Sequence, residues 1–169
     1  LWGSHAENNK QFTEAQQAYE KALICDPDSD YVLHKLPVLL IKMGKYKDAA
    51  QWLRKIIADN PEDIRNRMLL ARLDVNNGEI EEAVRIYQDI IRLHPDDETV
   101  YLRLGVLQSR QNQYLEAEKS FTQALALNPE SLFAHLYLAR LATQKGDFDR
   151  AATWYEKALP GLTGIEKTR

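Results

Sequence analysis

The sequence predicts an all-α fold, an array of antiparallel helix hairpins, and three columns of residues predict it. Pro27, Pro61, Pro95 and Pro129 recur at intervals of 34 residues. Ala15, Ala49, Ala83, Ala117 and Ala151 keep the same interval. So does the bulky series Tyr19, Leu53, Tyr87, Phe121 and Tyr155, and a further column, Phe12, Tyr46, Ile80, Tyr114 and Phe148, runs beside them. A fixed period of this length marks a repeat architecture, in which each unit is one supersecondary element stacked on the next. The units fall at 1–29, 30–63, 64–97, 98–131 and 132–165, the first of them partial, so that 1–169 reads as one array.

Each unit holds two amphipathic stretches of about 14 residues joined by a turn at Gly44, Gly78, Asn112 or Gly146. Gly and Asn accept the positive backbone angle that ends a helix. Ser29, Asp63, Asp97 and Ser131 precede the first stretch of each full unit, and their side chains suit the N-cap, where an oxygen accepts from a free backbone N–H. The prolines lie two residues upstream, past the end of the preceding helix, where a missing donor costs little. The alanine column lets two helices approach closely, and the aromatic column fills the space around them. One hairpin cannot bury its own apolar face, but stacked hairpins share a core.

Three departures carry structural expectations. Pro37 occupies the first helix of the second unit at a column otherwise filled by small residues, and an interior proline predicts a bend or local opening. Ile56 and Ile90 stand where the later units have Ala124 and Ala158, which predicts wider spacing between the helices of units two and three. The last unit loses the register at "LPGLTGIEKTR", where Pro160 comes three residues early. The chain begins at Leu1, and neither end carries an obvious polar capping helix, so it reads as a piece of a longer protein.

Composition bounds the function. Lys plus Arg number 22 and Asp plus Glu 25, a net charge of −3 that predicts no general affinity for nucleic acid. No apolar run approaches the length of a membrane span, and "LWGSHAENNK" lacks the basic start and apolar block of a secretion signal. A soluble protein of cytoplasm or periplasm is expected. Cys25 stands alone, which excludes an intrachain disulfide and a cysteine metal cluster, and it reads as a small hydrophobe near a helix end. Enzyme constellations are missing: there is no Gly-rich phosphate loop, no H-E-x-x-H and no Ser between glycines. His5, His34, His94 and His135 include no pair at helical ligand spacing. Glu81 and Glu82, and likewise Asp96, Asp97 and Glu98, stand at helix beginnings, where negative charge complements the helix dipole. No catalytic residue, metal or cofactor is expected.

The segment "YLRLGVLQSRQNQYLEAEKSFTQALALNP", residues 101–129, resembles the tetratricopeptide repeat, with its large residue, Leu-Gly, aromatic-x-x-Ala, Phe, Ala and closing Pro. The resemblance covers nearly the whole chain, as one partial and four nearly complete repeats. It implies a right-handed superhelical solenoid whose successive first helices line a peptide-binding groove. Carried over position by position, that groove takes Tyr31, His34, Lys35, Val38, Ile41 and Lys42 from repeat two. Repeat three gives Arg65, Met68, Leu69, Arg72, Val75 and Asn76. Repeat four gives Thr99, Leu102, Arg103, Val106, Ser109 and Arg110, and repeat five gives Phe133, Leu136, Tyr137, Arg140, Thr143 and Gln144.

The charged members of this set are Lys35, Lys42, Arg65, Arg72, Arg103, Arg110 and Arg140, and none is acidic. A basic surface attracts and orients anions, and Arg pairs with carboxylates in a two-pronged geometry. Met68, Leu102, Leu136 and Tyr137 lie between them as receptors for apolar side chains. The carboxylate clamp that grips chaperone C-termini in this family does not map. Its positions hold His34, Val38, Leu69, Thr99 and Arg103 in one register and Met68, Arg72, Arg103, Phe133 and Tyr137 in the other. The expectation is therefore a non-enzymatic scaffold that binds a protein or peptide segment with acidic residues. Two alternatives stand beside it. One is a spacer or self-associating module with Trp154 and Tyr155 at an uncovered end; the other is the substrate-recruiting arm of a larger enzyme or export complex. RNA binding is disfavoured, since the basic face lacks a regular series of exposed aromatics. In "RNRMLLARLD", Arg65 and Arg72 fall on one helix face, whereas Arg67 takes a packing position, with its stem on apolar surface and its head in water.

Overall fold

The computed structural model describes the backbone of residues 2–166 and the side chains of residues 10–161. The expectations placed on Leu1 and His5 lie outside the described side chains. The helices are α1 (Trp2–Cys25), α2 (Asp30–Lys42), α3 (Tyr46–Asp59), α4 (Ile64–Asn77), α5 (Ile80–Leu93), α6 (Glu98–Arg110), α7 (Tyr114–Leu127), α8 (Leu132–Gln144) and α9 (Phe148–Glu166). They form two compact units, one up to Glu79 and one from Ile80. That boundary falls inside the third repeat, between its first and second helices.

The turns follow the sequence. Gly44, Gly78 and Gly146 take φ of 73°, 82° and 76°, and Asn112, at the same column, takes 60°. Three of the four expected caps form: Asp63 accepts from Asn66 N–H at 3.0 Å, Asp97 from Thr99 N–H at 2.8 Å and Ser131 from Ala134 N–H at 3.3 Å. Ser29 occupies its N-cap position without a side-chain bond. Cys25 ends α1 and is exposed, so it does not serve as a buried hydrophobe there.

In the first unit, Leu36, Leu40, Ala49, Leu53 and Ile56 form the buried seam of the α2–α3 hairpin, and Leu70 and Ala71 of α4 are also buried. α2 runs as one helix from Asp30 to Lys42 with Pro37 buried inside it, so the proline does not end the helix. Pro37 nevertheless has no N–H to donate to the Leu33 carbonyl one turn back. In the second unit the backbones of α6 and α7, and of α8 and α9, approach more closely than those of α2 and α3. The residues at the crossing explain this. Gly105 lies directly against Phe121 of α7, and Ala124, Ala139 and Ala158 are small buried residues at the corresponding columns, where α2 and α3 bury Pro37 and Ile56. α9 continues through Pro160 to Glu166, beyond the length of the other second helices.

Phe121 is the centre of the second unit. It is 1% exposed and packs with Ala117, Leu138 and Leu141, with Leu102, Val106 and Tyr137 against the cluster. A Cβ added at Gly105 would lie 2.5 Å from Phe121 Cε1, so only glycine admits the ring. One ionic staple crosses this unit: Glu118 of α7 accepts from Lys145 Nζ at 2.9 Å and from Arg150 Nη2 at 2.7 Å. These two bonds hold the Glu118 carboxyl below the ordinary carboxylate range, and Glu118 in turn raises Arg150. A carboxyl depressed in the folded state stabilises the fold above its unfolded pKa, and that contribution is lost as pH falls through the folded value. Glu118 is half-buried and its partners are more exposed, so solvent screening keeps the pair weak and Glu118→Gln should cost about 0.5–1 kcal/mol at neutral pH. The difference between the two proteins in chemical denaturation should close in acid below the carboxylate range; a difference unchanged by acid would contradict the staple.

Candidate functional site

The expected site residues lie on the first helices α2, α4, α6 and α8, two in each unit. On α2, Tyr31 is exposed, yet its ring meets Tyr19 edge-on at 6.4 Å and lies under Lys35 Nζ at 5.6 Å. His34 is held at the helix start: Nδ1 lies 2.8 Å from the Asp30 carbonyl and Nε2 lies 3.5 Å from Asp63 Oδ2. The imidazole therefore ties α2 to the cap of α4, a role invisible in its sequence position. Lys42 is exposed at the helix end.

On α4, Arg65 and Arg72 are exposed and Met68 and Leu69 are half-buried between them. Arg67 departs from expectation, because Nε donates to the Pro61 carbonyl at 2.8 Å instead of reaching only water. Its guanidinium is thus used to fasten the turn before its own helix. Asn66 is 1% exposed, and Nδ2 donates to Asp63 Oδ2 at 2.8 Å, so a buried amide completes the same turn.

In the second unit, α6 presents Arg103 and Arg110 seven residues apart, with Leu102 and Val106 half-buried alongside. α8 presents Phe133, Tyr137 and Arg140 at spacings of four and three residues. The two faces are neighbours, as Ser109 Oγ of α6 lies 3.5 Å from Gln144 Oε1 of α8. Phe133 stands among the first-helix positions of the fifth repeat. What promotes it is a stack of rings. Phe121 and Tyr137 lie 5.2 Å apart at 24°, and Tyr137 and Phe133 lie 6.5 Å apart at 29°.

Arg67 apart, the arginines divide by helix. Arg65, Arg72, Arg103, Arg110 and Arg140 are exposed, with no ion pair or hydrogen bond among the described residues. Those of the second helices are engaged. Arg54 reaches Asp74 at 3.4 Å, Arg85 reaches Glu82 at 2.6 Å, Arg150 reaches Glu118 at 2.7 Å, and Arg92 pairs with Asp89. The described residues contain no group of three or more His, Cys, Asp or Glu side chains placed to hold a metal ion. No described helix is long and apolar enough to cross a membrane.

Comparison with known proteins follows the same lines. Models of the tetratricopeptide repeat match residues 8–73 and 40–107, and a second such model matches 102–164. The chain belongs to the tetratricopeptide repeat family. The all-α fold expected from the sequence is therefore the fold found, and as a member of this family the chain is a protein-interaction module. Among solved structures it is similar to MamA (22% identity, TM-score 0.82, 98% of this chain and 96% of that one). A second MamA structure, from MSR-1, is 27% identical over 93% of this chain and 90% of that one, with a TM-score of 0.70. A tetratricopeptide repeat protein from Parabacteroides merdae is 20% identical, with a TM-score of 0.79, over 93% of this chain and 65% of that one. No curated protein sequence matched the chain.

Proposed function

We propose that this tetratricopeptide repeat chain is a non-enzymatic scaffold whose first-helix faces bind an acidic segment of a partner protein. The observation that carries the reading is the division of the arginines. Guanidinium groups on the second helices are neutralised within the chain, while five on the first helices keep their donors open and have no acidic neighbour on their own face. An open guanidinium offers a carboxylate two parallel charge-assisted bonds. Two positions seven residues apart on a helix lie about 10.5 Å apart along its axis. On a polyproline II segment, carboxylates three residues apart return to the same side and lie about 9.3 Å apart, which matches the Arg65–Arg72 and Arg103–Arg110 rows. Met68 and Leu69, and Leu102 and Val106, provide apolar surface between the charges.

Charge reversal tests the reading. Arg72→Glu and Arg103→Glu should each weaken binding of a peptide with paired glutamates by about tenfold or more, the scale of one lost charge-assisted contact. Both positions are exposed, so helicity by circular dichroism should stay unchanged. Normal peptide binding by both variants would remove the first-helix faces from the function.

A further inference from the structure

Resting on that reading, we propose that the second unit selects an aromatic residue in the acidic segment, which it seats on the open face of Phe133. The stack Phe121–Tyr137–Phe133 runs from the core to the surface: its inner ring is 1% exposed and its outer ring 59%. Offset-stacked ring pairs contribute beyond the area they bury, so an added ring would extend a row already held rigid at its inner end. Tyr137 packs on Phe121, which is buried and set against Gly105, so the row is anchored at its inner end. The first unit lacks an equivalent. Tyr31, at the same column as Phe133, is engaged by Tyr19 and by the Lys35 ammonium, and the column holds Arg65 in the next repeat and Thr99 in the one after.

The charge beside the stack states the rest of the ligand. Arg140 follows Phe133 by seven residues on the same face of α8, about 10.5 Å along the axis. On a polyproline II segment, where every third side chain returns to the same side, that distance places a carboxylate three residues from the aromatic side chain. Arg103 and Arg110 stand on the neighbouring α6 face for further acidic residues. A single-stranded nucleic acid would also offer rings and negative charge. It is the less favoured occupant, because it calls for several stacking platforms in a row and a basic groove. Among the described residues of α6 and α8 only Phe133 carries an exposed ring, in a chain of net charge −3.

The test uses the whole chain and two labelled peptides, Glu-Gly-Gly-Trp-Gly-Gly-Glu and its counterpart with Ser for Trp, read by fluorescence anisotropy. The Trp peptide should bind at least about tenfold more tightly, a difference of about 1.4 kcal/mol. Phe133→Ala should erase that preference while leaving the Ser peptide unaffected. Arg140→Glu should weaken both peptides, and circular dichroism would show each variant folded. Equal binding of the two peptides, or a preference that survives Phe133→Ala, overturns the aromatic site and leaves the acidic-segment reading standing. If neither peptide binds, both readings fall. Tighter binding of oligouridylate than of the Trp peptide, lost in Phe133→Ala, would make the surface a nucleic-acid platform and overturn the proposal.

Discussion

Phe121→Ala should lower the stability of the chain by about 3–5 kcal/mol, the range for emptying a fully buried aromatic site. The ring is 1% exposed and is packed by residues of α6, α7 and α8. Its removal therefore loosens three helices at once. Gly105→Ala approaches the same contact from the other side. Alanine would gain about 1 kcal/mol of helix propensity, yet its Cβ would fall 2.5 Å from the ring. Overpacking of this kind costs about 1–3 kcal/mol, so the net change is destabilising. The two positions are in contact and must couple. In the double variant Gly105→Ala, Phe121→Leu, the shorter side chain makes room for the methyl group, and the loss should be smaller than the sum of the two single losses. Strict additivity in urea denaturation would show that Gly105 is not there to admit the ring.

Pro37→Ala should act in the opposite direction. An interior proline costs about 3 kcal/mol or more, through the missing donor and the clash of its ring with the carbonyl one turn back. Alanine restores the bond to Leu33 and fits a column that already holds Ala71, Gly105 and Ala139. Against this stand the lost burial of the ring and the freer unfolded chain, the latter about 0.4–1 kcal/mol. A net gain of about 1–2 kcal/mol remains of the proline penalty, and a rise in melting temperature would report it. A fall would mean that the ring fills space between α2 and α3 that alanine leaves empty, and that the wider seam there is built around it.

The hairpins, their turns and most of their caps were legible because they depend on local chemistry repeated in register. Gly78 and Asn112 accept the same backbone angle for the same reason, and Asp63 caps α4 with its own side chain. Features that failed to read out depend on particular side-chain contacts that the repeat pattern does not encode. His34 reads as a groove residue until Asp63, the cap of the following first helix, is seen to approach it. Arg67 reads as a snorkelling side chain until the Pro61 carbonyl comes within reach. Phe133 differs little from Tyr31 by position, and only the stack through Tyr137 to Phe121 separates them. The sign of the first-helix charge was legible residue by residue. That Arg65, Arg72, Arg103, Arg110 and Arg140 have no ion pair among the described residues, while the second-helix arginines do, required coordinates, because pairing is a matter of distance and not of composition.

The central claim is that Arg65 and Arg72 in the first unit, and Arg103, Arg110 and Arg140 in the second, each form a recognition surface. The most direct measurement is an amide nuclear magnetic resonance titration of the isotope-labelled chain with the acidic peptide. The account predicts shifts that concentrate on α4, α6 and α8 around Arg65, Arg72, Arg103, Arg110 and Arg140, and that disappear in Arg103→Glu for the second unit. Shifts confined to α3, α5 and α9 around Arg54, Arg85 and Arg150, or none at saturating peptide, would contradict it.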